Sequence, residues 1–81
     1  MALLVFSVHD TKVGAYANPF FVRTRGEAVR SFSDACQDDS LPFKRHPGDY
    51  VLYLVGSWDE TSGRIVGRET GPERVLGADE L

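Results

Sequence analysis

His9, His46 and Cys36, with Asp10 or Asp49 beside them, carry the donor atoms that a metal site would use. Zinc sites usually announce themselves through close ligand pairs, such as two cysteines a few residues apart. With a single cysteine in the chain, that pattern is absent. Cys36 also falls on the apolar stripe of a predicted helix, where a free thiol packs as a small hydrophobe. The acid pairs Asp38-Asp39 and Asp59-Glu60 sit in turn-like stretches, and no second catalytic group stands at a motif spacing from them. Neither a G-x-x-x-x-G-K-[ST] loop nor a G-x-G-x-x-G turn occurs; Gly26 is a lone glycine. No catalytic residue, metal or cofactor is expected, and the chain reads as non-enzymatic.

What remains is a basic and aromatic set. Arg23 and Arg25 flank the start of the predicted helix, where free backbone amides favour anions. Arg30 falls on the wet face of that helix, Lys44-Arg45-His46 lies in the loop after it, and Lys12 precedes it. Phe20, Phe21, Phe43, Tyr50 and Tyr53 are close to these cations in sequence. Single-stranded nucleic acid is held by this combination, with cations on phosphates and bases stacked on rings. The candidate binding residues are therefore Lys12, Arg23, Arg25, Arg30, Lys44 and Arg45, with Phe21 and Tyr53 as stacking platforms. The same residue types also serve as core aromatics and solvated helix positions.

Charge argues the other way. The net charge is −3 and the pI about 5.2, whereas nucleic-acid binders usually carry a basic footprint. The distribution is uneven, however: residues 1–48 hold six cations against five acids, and residues 49–81 hold three against seven.

These side chains must be positioned by a small fold. Leu3 to Val8 is an apolar, partly β-branched run that reads as a strand ending at the polar cluster His9-Asp10-Thr11. Gly14 and Asn18-Pro19 punctuate a loop, and Phe20 to Arg23 reads as a second strand. Thr24 stands three residues before Glu27, the capping-box spacing, so a helix begins at Arg25. Ala28, Val29, Phe32, Ala35 and Cys36 give that helix an apolar face. Pro42 and Pro47 exclude a helical continuation. Tyr50 to Val55 and a short partner around Arg64 to Val66, joined by the polar turn 59–63, read as a carboxy-terminal hairpin.

The order strand, strand, helix, strand, strand predicts an α+β domain with a mostly antiparallel four-stranded sheet and one helix. Neither face of such a sheet is polar: Leu4, Phe6 and Val8 alternate with Leu3, Val5 and Ser7, and Tyr50, Leu52 and Leu54 with Val51, Tyr53 and Val55. One helix covers one side, so the other needs the carboxy-terminal segment, a second copy of the chain, or stacked bases.

The chain of 81 residues, 42% hydrophobic and 26% charged, should fold as a single domain, with 68–81 open to loose order as a tail. A two-domain enzyme and a repeat array are excluded. The run from Ala2 to Val8 lacks the flanks of a secretory signal and the length of a membrane span. A lone cysteine favours a reducing cytoplasm.

The segment Val5-Phe6-Ser7-Val8-His9-Asp10-Thr11-Lys12-Val13-Gly14-Ala15-Tyr16 followed by Pro19-Phe20-Phe21 resembles the opening of the small nonstructural protein of gokushovirus-type microviruses, tailless icosahedral phages with single-stranded circular DNA. Gly26-Glu27-Ala28-Val29-Arg30-Ser31-Phe32, Pro42-Phe43, His46-Pro47, Asp49-Tyr50, Gly56, Asp59 and Gly63 continue the resemblance to about residue 66. His9 stands where the family leads one to expect tyrosine. The resemblance implies a phage-encoded protein of Microviridae type, made in the cytoplasm of the infected bacterium and absent from the virion. It implies DNA binding or a part in the switch to single-stranded viral DNA synthesis. The expected partners are DNA, chiefly single-stranded, a second copy of the chain in a homodimer, and phage or host replication proteins, with no membrane. The alternative is a protein-interaction or self-associating module that makes no direct DNA contact.

Overall fold

The computed structural model describes residues 2–81. Two long strands, β1 (Ala2–Asp10) and β4 (Tyr50–Asp59), pair antiparallel along their whole length and form the centre of the sheet. Two short strands share each outer lane. Beside β1 lie β2 (Ala15–Tyr16) and β3 (Phe20–Val22), and beside β4 lie β5 (Arg64–Gly67) and β6 (Glu73–Gly77), every pairing antiparallel. The expected α+β class with a four-lane antiparallel core forms, but six strands fill the four lanes.

The two additional strands escape local sequence signals for a physical reason. The two residues of β2 are fixed by pairing Tyr16 with His9 and Ala15 with Asp10. The segment after Gly67, whose apolar content is little more than Val75-Leu76, joins β4 as β6 and then turns through a 3-10 turn at Ala78–Glu80. The Glu80 carboxylate accepts the Gly77 N–H at 2.6 Å and an ion pair from Arg74, and Ala78 is buried in the core. These contacts hold the chain end against the body.

Helix α1 (Arg25–Cys36) starts and stops where its sequence dictates. The Thr24 hydroxyl accepts the Glu27 N–H at 3.2 Å. Glu27 reaches back one residue beyond the cap, to the Arg23 N–H at 3.1 Å, so its carboxylate closes a slightly wider box than the standard one. At the other end Asp38 accepts from both the N–H and the hydroxyl of Ser40, a local turn that competes with helix, and Pro42 follows. Ala28, Phe32 and Cys36, four residues apart, are buried against Phe6, Val8, Leu52 and Leu54. Phe43 closes this layer by lying 5.9 Å from Phe32 and 4.7 Å from Tyr50, ring to ring. Of the two alternatives left by alternation, the helix therefore takes the side of Leu4, Phe6, Val8, Leu52 and Leu54.

Two hairpin turns repeat one design. In 10–14 and 59–63 an aspartate carboxylate accepts the N–H groups two and three residues on, while a glycine with positive φ donates to the aspartate carbonyl at 2.8 Å. β1 and β4 run antiparallel, so the two turns project from opposite ends of the sheet.

The central ladder contains one irregularity with large consequences. Val5 pairs with Gly56 and Phe6 with Leu54, leaving Val55 as an extra residue on β4. A bulge of this kind increases local twist and shifts the alternation of faces. At Gly56 the next strand crosses so closely that a Cβ would lie 2.3 Å from the Val66 carbonyl oxygen. Only glycine permits that approach. No helix among the described residues is long and apolar enough to cross a membrane.

Candidate nucleic-acid interface

The side of the sheet away from α1 is built by register. Opposed residues of an antiparallel ladder project to the same face. Starting from Val5, opposite Phe21 and Gly56, this rule gathers Leu3, Ser7, His9, Tyr16, Val51, Tyr53, Trp58, Ile65 and Arg74 with them. The carboxy-terminal segment does not cover this face, because Leu76 and Ala78 join the core layer under α1. Its middle is nonetheless closed: Val5 and Ser7 are buried at 3% and 2% exposure, and the Ser7 hydroxyl donates to the Ala17 carbonyl at 2.7 Å.

The rings form two groups. His9, Tyr16 and Tyr53 make a triad with centroids 4.5, 5.9 and 5.5 Å apart, the two contacts to Tyr53 being edge-on. Phe21 meets Trp58 edge-on at 6.2 Å, and these two, with Leu3 and Ile65, line a shallow apolar depression. From His9 to Leu3 is six residues of strand, roughly 20 Å. Along that length the surface is aromatic or aliphatic and still partly wet, with Tyr16 46%, Phe21 43% and Ile65 64% exposed. Edge-on packing holds the rings in fixed orientations and leaves part of each ring surface free for another planar group.

The predicted cations are distributed around this face rather than upon it. Arg23 directly follows β3, two residues beyond Phe21. Lys12 lies in the turn that joins the strands of His9 and Tyr16, and that turn is tied to the loop carrying Lys44 and Arg45 by the Thr11 N–H, which donates to the Asp49 carbonyl at 2.8 Å. Basic residues thus stand near both ends of the aromatic strip. Arg30 is exposed on α1, whose buried face packs on the other side of the sheet, and does not join them. Arg25 is paired with Glu73 at 2.9 Å and Lys44 with Asp39 at 2.8 Å. The Asp39 partner raises the Lys44 pKa, through its hydrogen bond first and its charge second. Among the described residues Lys12, Arg23, Arg30 and Arg45 have no ion pair.

Phe21 and Tyr53 share the open face as the stacking reading requires. Four members of that face were not among the candidate nucleic-acid-binding residues: Tyr16, Trp58 and Arg74, and His9, which was weighed only as a metal donor. Arg74 stands opposite Tyr53, its guanidinium held by Glu80, which raises its pKa. The signal for Tyr16 was its symmetric distance from His9 across the Asp10–Gly14 turn. Trp58 carried no such signal, because the Val55 bulge reverses the parity that alternation assigns it.

The donors considered for a metal lie apart. Cys36 is buried in the core, where desolvation raises its thiol pKa, while His9 stacks on the open face and His46 is exposed in the loop before Tyr50.

The sheet leaves one side aromatic and partly exposed, and the comparisons give the chain a family. The chain matches the Phage ORF5 protein model over residues 3–81, and so belongs to that family of phage proteins. No curated protein and no solved structure matches it.

Proposed function

We propose that this is a non-enzymatic nonstructural phage protein of gokushovirus type that binds single-stranded DNA along its open sheet face, in the cytoplasm of the infected bacterium, during viral DNA synthesis. The observation that carries the reading is the pair of fixed ring groups, His9–Tyr16–Tyr53 and Phe21–Trp58, on one uncovered face of a phage protein. Bases would stack on the exposed ring surfaces, and Lys12, Arg45 and Arg23 would meet phosphates at the two ends. Arg74 adds a guanidinium beside Tyr53. A duplex offers its bases only at groove edges, so a stacking face favours single strands.

The second reading is a protein-interaction or self-associating module with no DNA contact. It is favoured by the acids that already occupy Arg25 and Lys44 and by the separation of Arg30 from the open face. Fluorescence anisotropy with labelled single- and double-stranded oligonucleotides at low salt separates the two. The DNA reading expects binding, tighter for the single strand and weakened by Tyr53→Ala. Absence of signal for both oligonucleotides at low salt refutes it.

A further inference from the structure

We propose that the outer edge of β5 is a homodimer interface, at which two copies pair their β5 strands antiparallel about a two-fold axis through Ile65. Sheet edges that remain monomeric are normally blunted by proline, charge, bulges or brevity. Three of the edge segments here are blunted in this way. β2 and β3 are two and three residues long and are interrupted by Asn18-Pro19. β6 carries Glu73 and Arg74 in ion pairs, is bulged at Val75 and runs into the terminal turn. β5 is also short, at four residues, and opens with Arg64, but Ile65-Val66-Gly67 carries no proline, charge or bulge, and both apolar side chains are open to water, at 64% and 51%.

The hydrogen-bonding phase suits a second copy. The Arg68 N–H donates to the Val55 carbonyl at 3.1 Å. Alternation along an antiparallel ladder then turns the peptide groups of Val66 and Arg64 towards β4 and leaves those of Ile65 and Gly67 facing outward. A two-fold axis perpendicular to the sheet requires a residue to face its own copy. Centred on Ile65, the pair exchanges two N–H···O bonds between the two Ile65 residues and sets Arg64 opposite Val66 of the other copy. Centred on Val66, it would set Arg64 opposite Arg68 twice, which like-charge repulsion disfavours. The Ile65 register also joins the two Leu3–Phe21–Trp58–Ile65 depressions edge to edge on one continuous face. Self-complementarity at the axis is the reason for committing to a second copy rather than a foreign strand.

This inference stands independently of DNA binding. Small interfaces bind weakly, so sedimentation equilibrium of the full chain should span about 5 to 500 μM. The expected result is a reversible monomer–dimer equilibrium, with Ile65→Lys weakening it by about 100-fold or more because it sets like charges against each other at the axis. Val13→Lys, in the exposed turn at the opposite end of the sheet, should leave the equilibrium unchanged. Amide hydrogen exchange of the unsubstituted protein at low and high concentration supplies a readout free of any folding defect. Slower exchange of the Ile65 and Gly67 amides at high concentration supports the proposal. A monomer throughout the range, or a dimer without that protection, overturns it.

Discussion

Raising salt from about 50 to about 500 mM is the sharpest test of the proposed phosphate contacts. Each phosphate contact on a single strand contributes about −0.7 to the slope of log affinity against log salt. If all six predicted cations were engaged, the slope would approach −4 and a tenfold rise in salt would weaken binding by about 10⁴. The ion pairs of Arg25 and Lys44 and the placement of Arg30 away from the open face leave Lys12, Arg23 and Arg45. Three contacts give a slope of about −2, and the same salt change costs about 100-fold. Anisotropy titrations at several salt concentrations measure it directly.

Substitutions divide the electrostatic part from the stacking part. Arg23→Ala and Lys12→Ala should each flatten the slope by about 0.7, while Arg30→Ala should leave it unchanged. Tyr53→Ala should lower affinity roughly 5- to 150-fold at constant slope, from about 1–3 kcal/mol of stacking. A slope of −4, or an Arg30→Ala effect equal to that of Arg23→Ala, would refute the assignment of phosphates to the ends of the aromatic strip.

Other predictions concern the scaffold. Gly56→Ala must push β5 off the ladder, because its Cβ would lie 2.3 Å from the Val66 carbonyl oxygen; urea unfolding should show a loss of about 1–3 kcal/mol or more. Thr24→Ala removes the acceptor for the Glu27 N–H and should cost about 1 kcal/mol by the same measurement. The Gly77 N–H, and after it Arg74, hold the Glu80 pKa below the usual glutamate range. Depression in the folded state means that this stabilisation is present above an unfolded pKa of roughly 4.3 and is lost as pH falls through the lower folded value. Thermal melts of Glu80→Gln from neutral to acid pH should therefore show a lower melting temperature near neutrality and a shallower acid decline.

How much of this was legible depended on the range over which the signal acts. Helix α1 was readable because its cap, its apolar stripe and its terminators all lie within twenty residues of one another. β1 and the first half of β4 were readable as apolar runs. The face taken by the helix was not readable, since Leu3, Val5 and Leu4, Phe6 are equally apolar, and the choice is made by Phe32 and Leu52 across the core. Tyr53 and Trp58 differ by an odd number, so strict alternation places them on opposite faces; the extra residue at Val55 brings them to the same one. In β6, Arg74 and Leu76 share parity but not a face, for the same reason at Val75. Bulges are tertiary events and leave no mark in a two-residue period.

The open face and the β5 edge bear on the same question from independent directions. An exposed aromatic layer on a chain of this size invites a cover, yet Val5 and Ser7 at its centre are already buried, at 3% and 2% exposure. This lowers the demand for a face-to-face partner and leaves part of the ring surfaces open, as the proposed stacking needs. The edge, by contrast, has nothing of its own to satisfy the outward peptide groups of Ile65 and Gly67 except water. Pairing there would lengthen the platform without covering it, since both copies present their open faces on the same side of one sheet. Val66→Lys, which faces the other side of the sheet and would meet Arg64 of the second copy, should then change stoichiometry on a long oligonucleotide while the salt slope per protomer stays near −2, because Lys12, Arg23 and Arg45 all lie outside β5.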